Sequence, residues 1–170
     1  MCIAQIRVVP FESLHKWQAS MVRDAAVPGG RVVHFKGAPE RLFPLCVSAV
    51  SAENVLAETP VPFDSAWWAA KAAELSSKGL RVIAIARWVP PADFDDAELS
   101  VAWVTTQATP FLTLVGLIAI LDPPRAECVL AIREFHAAGI VVKMITGDHP
   151  KTALGERRRR GGRETRAEWM

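Results

Sequence analysis

The chain has 170 residues, 51% hydrophobic and 22% charged, with a net charge of +2. That length and apolar share suffice for one ordinary domain or two small ones and exclude a disordered chain. The longest strongly apolar stretch, Phe111 to Leu121, is eleven residues long, well short of the roughly 20 that a spanning helix needs; no basic segment followed by an apolar run opens the chain, so no secretory signal is read.

Ile3 to Val9 is rich in β-branched residues and stops at Pro10, which predicts a strand. Phe11 to Trp17 follows as a loop or short turn, and Gln18 to Arg23 as a second strand. Pro28-Gly29-Gly30 marks a turn, after which Arg31 to Lys36 forms a third strand, a hairpin arrangement within an antiparallel sheet. Gly37-Ala38-Pro39-Glu40 breaks that strand. Pro39 suits the first position of a helix and Glu40 its positive end, with Leu42, Phe43, Leu45 and Cys46 as the apolar side.

Ser65 is the expected N-cap of a second helix running through Lys78, with Trp68, Ala72 and Leu75 as a buried stripe and Gly79 as its stop. Arg81 to Trp88 is a buried strand. Pro90 to Ser100, with two prolines and the acids Asp93, Asp95, Asp96 and Glu98, reads as an exposed loop. Thr113 to Leu121 is a continuous apolar strand of the kind covered on both faces. Asp122-Pro123-Pro124-Arg125 ends it, and Ala126 to Ala138 is a helix with Val129, Ile132 and Phe135 on one side and Gly139 as its cap. Ile140 to Ile145 is a further buried strand, turning at Thr146-Gly147-Asp148, so a parallel strand-helix-strand unit is expected.

After Leu154 the apolar periodicity ends. Residues 151–170 carry seven basic and three acidic residues, including the run Arg157 to Arg160, while the body is slightly acidic. A solvated, disordered tail fits that composition better than a nucleic-acid contact, since the body offers no basic surface. The three cysteines, Cys2, Cys46 and Cys128, are odd in number and lack metal spacing, so they read as reduced thiols of a cytosolic protein.

Three groups of residues have chemistry to offer. Lys36 before Gly37 places an ammonium beside a strand end and exposed backbone N–H groups, a corner suited to phosphate, although lysine before a glycine turn is more often simply solvated. Phe11 lies in a polar loop with Lys16 and Trp17 near. Such a ring can stack on a base while cations meet phosphates, or it can close the sheet edge. Asp122 and Asp148 fall at the carboxyl ends of consecutive buried strands, where open sheets bind ligands, and Thr146 and Gly147 add a hydroxyl and a close-approach backbone; turn chemistry is the competing reading.

Five segments in order carry a resemblance: Pro10-Phe11-Glu12-Ser13 with Lys16, Lys36-Gly37-Ala38-Pro39-Glu40, Gly79 to Ala86, Asp122 to Arg125, and Met144 to His149. Together they resemble the cytoplasmic part of P-type cation-transporting ATPases, in the calcium and sodium–potassium branch, over residues 3–153. The resemblance implies an α/β chain: a partial antiparallel nucleotide-binding-domain sheet with helices over residues 1–108, then a βαβ piece of a haloacid-dehalogenase-like Rossmannoid phosphorylation domain over 109–154, then the tail from 155. It implies ATP as ligand, with magnesium accompanying the nucleotide. Phe11 would stack on adenine, Lys16, Lys36 and Gly37 would line the pocket, and Arg81 would approach the phosphates. Asp122, Thr146, Gly147 and Asp148 would support the phosphorylation site without being the nucleophile.

The sequence contains neither the family's phosphorylated Asp-Lys-Thr-Gly-Thr segment nor its Gly-Asp-Gly-x-Asn-Asp segment. The expectation is therefore a truncated gene product, cytoplasmic, from a membrane pump, that binds nucleotide without turnover. The arginine-rich tail reads as a shifted reading frame. A stand-alone nucleotide-binding or regulatory module is the alternative, and a basic-tailed nucleic-acid binder a more distant one.

Overall fold

A computed structural model describes residues 4–51, 60–121 and 126–143. The chain divides into two compact units, one of Met1–Ala70 with Val82–Ile118, the other of Lys71–Arg81 with Ala119–Met170. The described residues are mixed α/β, with a seven-stranded sheet and few helices.

The strands are β1 (Gln5–Val9), β2 (Trp17–Arg23), β3 (Arg31–Gly37), β4 (Cys46–Val50), β5 (Pro60–Pro62), β6 (Arg81–Trp88) and β7 (Leu112–Ile120). Their order across the sheet is β1-β2-β3-β6-β7-β4-β5. β1–β2, β2–β3, β3–β6 and β4–β5 are antiparallel, as the hairpin signals predicted for the first three strands, whereas β4 and β7 run parallel. The helices are α1 (Pro39–Leu42), α2 (Ser65–Ser77), α3 (Val101–Thr106) and α4 (Ala126–Ala137).

Alternation along β2 and β3 decides where the core lies. Trp17, Ala19 and Met21 pair with Gly37, Phe35 and Val33, and all six are buried. On β6, Ala86 and Ala84 continue the same face opposite Phe35 and Gly37. The residues between them, Gln18, Ser20, His34 and Lys36, point the other way and are half-buried or exposed.

The core face is filled by aromatic rings in sequence. Trp17 meets Phe35 at 5.8 Å, Phe35 meets Phe111 at 6.2 Å, and Trp88 stacks on Trp103 at 4.8 Å with Phe111 and Phe94 edge-on to both. Edge-to-face pairs at these separations contribute beyond the area they bury. Arg31 secures the segment that carries Phe94: its guanidinium donates to the carbonyls of Pro91 (2.9 Å), Ala92 (3.1 Å) and Phe94 (3.1 Å) and pairs with Asp96. The Pro90 to Ser100 stretch is therefore not simply an exposed loop. Pro90 and Leu99 are buried, Arg7 Nε donates to the Leu99 carbonyl at 2.7 Å, and a short 3-10 turn forms at Asp96–Glu98. One cation accepted by several carbonyls overrides the loop-like composition.

Several expectations are corrected. The helix starting at Pro39 ends at Leu42, with a 3-10 turn at Phe43–Leu45, and Cys46 opens β4 instead of closing a helix. The cause is Pro44, which cannot donate within a helix. The Ser65 cap is replaced by Asp64, whose carboxylate accepts from the Trp67 N–H at 2.9 Å. Trp68, Ala72 and Leu75 are half-buried, not fully covered. Further along α2, Glu74 binds Lys78 at 2.9 Å and Lys71 at 3.1 Å; these hydrogen bonds, the one from Lys78 first, hold its carboxyl below the usual range.

β7 is buried only at its start. Leu112 and Leu114 are covered, but Ile118 to Ile120 are exposed. Its parallel partner is β4, through Cys46–Leu112, Ser48–Thr113 and Ala49–Leu114, reinforced by a 2.9 Å hydroxyl contact between Ser48 and Thr113. The expected partner strand does not form over residues 140–143, where Val141 is 80% exposed. An apolar run becomes a buried strand only where both faces gain cover. Residues 144 and 145 lie outside the described residues, as do Asp122, Pro123, Pro124, Arg125, Thr146, Gly147, Asp148 and the arginine-rich tail.

α4 matches its predicted span to within a residue. Gly139, at φ 76°, closes it: the Gly139 N–H donates to the His136 carbonyl (3.1 Å) and the Ile140 N–H to that of Phe135 (2.8 Å). Ile132 is half-buried and Phe135 exposed, so the expected apolar stripe is only partly covered.

Candidate functional site

The loop between β1 and β2 and the end of β3 meet at one end of the sheet. Val9 pairs with Ala19 and Trp17 with Gly37, so residues 10–16 lead directly into the strand end that carries Lys36. Phe11 sits in this loop, 58% exposed, with no ring contact among the described residues. Trp17, by contrast, is 4% exposed and belongs to the core. Of the two aromatics near the cations, only Phe11 presents a face to solvent.

The corner at Lys16 is tightly determined. The Lys16 N–H donates to the Glu12 carbonyl at 2.8 Å and its own carbonyl accepts from the Ala38 N–H at 2.9 Å. These bonds hold Lys16 at φ 58°, the only non-glycine residue with positive φ among the described residues. A left-handed lysine costs about 1–3 kcal/mol and persists only where its surroundings over-determine it.

Gly37 explains the close approach. A Cβ there would lie 2.5 Å from the Lys16 carbonyl oxygen and 2.5 Å from the Trp17 Cβ, so no side chain fits between β2 and β3 at this point. Its glycine is thus demanded by strand packing, a reason that residue types alone do not reveal. The Lys16 ammonium lies 3.6 Å from the Glu40 carboxylate, both side chains about half exposed (47% and 50%). Glu40, read from sequence only as a helix-start residue, is therefore part of this corner. Its signal was present in the Lys36 to Glu40 segment, but no spacing rule links position 40 to position 16.

Lys36 is exposed on the outer face of β3, opposite Gln18 on β2, with no ion pair among the described residues. The structure thus places Lys16, Lys36 and Gly37 at one strand end, with Phe11 in the loop that leads into it. Arg81 is the exposed first residue of β6 and belongs to the second compact unit. A cleft of about 230 Å³ lined by His15, Trp17, Arg41, Leu45, Val104 and Thr105 contains none of the predicted residues. Among the described residues no group of three His, Cys, Asp or Glu side chains could hold a metal ion.

A family profile described as the P-type ATPase cytoplasmic domain N matches residues 3–127. The chain belongs to the P-type cation-transporting ATPases. It is 37% identical over 154 residues to the probable cation-transporting ATPase F of Mycobacterium tuberculosis, covering 89% of this chain and 15% of that protein. It is 34% identical over 153 residues to the sodium/potassium-transporting ATPase subunit alpha-2 of Gallus gallus, covering 88% and 15%. The cation-transporting ATPase pma1 of a Synechocystis strain is 33% identical over 158 residues, covering 90% and 15%. The chain thus spans about 15% of the length of these P-type ATPases. The match names a cytoplasmic domain, and no helix among the described residues is long and apolar enough to cross a membrane.

Proposed function

We propose that this chain is the adenine-nucleotide-binding part of a cation pump, with the base held at the β1–β2–β3 corner. The observation that carries this reading is the exposed Phe11 ring, free of ring partners among the described residues, at the same sheet end as the exposed Lys36. An aromatic face stacks on a base, and ammonium groups near it attract phosphate. Lys16 and Lys36 line the pocket, and Gly37 lets the backbone approach closely. Arg81 is assigned to the phosphates on family resemblance alone. Magnesium accompanies the nucleotide as its counter-ion and takes oxygen ligands from phosphate and water.

Residues 109–154 are assigned on the same basis to a haloacid-dehalogenase-like phosphorylation domain, in which Asp122, Thr146, Gly147 and Asp148 act in support. The intact pump would carry cations across a membrane with this part on its cytoplasmic side. The chain itself binds without turnover, because in-line phosphoryl transfer to protein needs a positioned carboxylate nucleophile, and the family's segment for it is not in this sequence.

Calorimetry tests the binding reading. Base–aromatic stacking is worth about 1–3 kcal/mol, so Phe11→Ala weakens ATP binding by roughly tenfold. An unchanged affinity removes Phe11 from the site. Acid quenching after incubation with labelled ATP and magnesium tests the absence of turnover: a hydroxylamine-sensitive phosphoprotein would make the chain an enzyme in its own right.

A further inference from the structure

We infer that Glu40 masks the charge of Lys16 and so sets how strongly the corner responds to phosphate charge. This rests on the nucleotide reading above and names a further specificity-determining residue of the same site. Two independent links bind Lys16 to the segment after β3. The backbone link is the Ala38 N–H to the Lys16 carbonyl (2.9 Å), and the side-chain link is the ion pair with Glu40 (3.6 Å). The other carboxylate of this loop, Glu12, lies 3.6 Å from His15, so Glu40 is the acid that faces the Lys16 ammonium.

The backbone link explains why the pairing is fixed. Lys16 holds a left-handed backbone that costs it stability, and its side chain meets a residue only two positions beyond its backbone partner. A lysine neutralised in this way contributes little to attracting an incoming polyanion. Lys36, with no ion pair among the described residues, keeps its charge at this sheet end. The corner consequently selects for the base through Phe11 and discriminates weakly between one, two and three phosphates. Replacing the Glu40 carboxylate by an amide of the same size exposes the Lys16 charge without emptying the space.

The test uses the full chain at low ionic strength, titrated with inorganic tripolyphosphate, AMP and ATP and followed by amide NMR shifts. Half-exposed pairs couple weakly, so Glu40→Gln tightens tripolyphosphate and ATP by roughly three- to fivefold and AMP by less than about twofold. Salt erases the gain. In a Lys16→Gln background the same Glu40→Gln change has no effect, which assigns the gain to this pair. Tripolyphosphate that binds Glu40→Gln no better than the wild-type chain, or not at all, overturns the inference, as does a gain that persists without Lys16. The nucleotide reading is judged separately: it fails if ATP binds no better than tripolyphosphate, whatever Glu40 does.

Discussion

Two apolar runs in this chain have much the same composition and opposite fates. Val32, Val33 and Phe35 in β3 are 0–2% exposed, whereas Ile140, Val141 and Val142 after α4 are 41–80% exposed and form no strand. Local β-propensity is similar in both. β3 gains β2 and β6 as neighbours and a layer of rings over one face; residues 140–143 gain neither within the described residues. A buried strand is thus a property of its neighbours more than of its own letters.

The same substitution in both regions sharpens this contrast most. Phe35 is fully buried between Trp17 and Phe111, while Phe135 on α4 is 46% exposed. Phe35→Ala should cost about 3–5 kcal/mol through lost transfer energy and a cavity. Phe135→Ala should stay within roughly 0.5 kcal/mol. Urea unfolding of both variants measures the difference; equal costs would mean that the two regions do not differ in packing.

Gly37→Ala ranks next and probes the corner alone. The added methyl meets backbone atoms of Lys16 and Trp17, which cannot swing aside as a flexible side chain does. Forced overpacking of this kind costs about 1–3 kcal/mol. The control is Gly116→Ala in β7, where nothing lies within 4 Å of the new Cβ. A Gly37→Ala chain as stable as the Gly116→Ala chain would show that β2 and β3 are not held this close.

The elements legible in the sequence were those whose own pattern sufficed. β3 and β6 follow directly from β-branched runs bounded by turn residues, and α4 from its spacing and Gly139 stop. β4, β5 and α3 were not legible. Cys46–Val50 follows a helix start so closely that its apolar residues read as the helix's own despite Pro44, Pro60–Pro62 has prolines at both ends, and Val101–Thr106 is too short to show a period. At the candidate site, residue types marked Phe11, Lys16 and Lys36, while the left-handed backbone of Lys16, the steric demand at Gly37 and the Glu40 contact depend on strand register. Register is fixed by long-range pairing, which no local window contains.

A cap lies between these extremes. The Asp64 carboxylate satisfies the Trp67 N–H at the start of α2. Asp64→Ala should cost about 0.5–2 kcal/mol, read as a lower unfolding midpoint, whereas Ser65→Ala should cost less. The reverse order would restore Ser65 as the cap.

The smallest effect at neutral pH concerns Cys46 and Cys128, two of the chain's three thiols. Cys46 opens β4, is 5% exposed and donates its Sγ hydrogen to the Leu42 carbonyl at 3.2 Å, whereas Cys128 on α4 is half-buried. Burial pushes the Cys46 thiol up to about 12, because the thiolate would lose its hydration. The folded chain therefore keeps a proton that the unfolded chain releases near pH 9. Stability from this group is intact below that pH and declines as pH rises from about 9 towards 12. Near pH 10 the loss reaches roughly 1.4 kcal/mol, since holding that proton costs about 1.4 kcal/mol for each further tenfold fall in proton concentration; it is read as the steeper decline of the wild-type chain relative to Cys46→Ala. The thiolate is also the reacting form. Iodoacetamide at pH 8 should modify Cys128 and spare Cys46 in the native chain, with both modified in urea. Peptide mapping that finds Cys46 alkylated as fast as Cys128 would place the start of β4 among the loosely held parts of the molecule and dissolve the contrast between the two regions at that point.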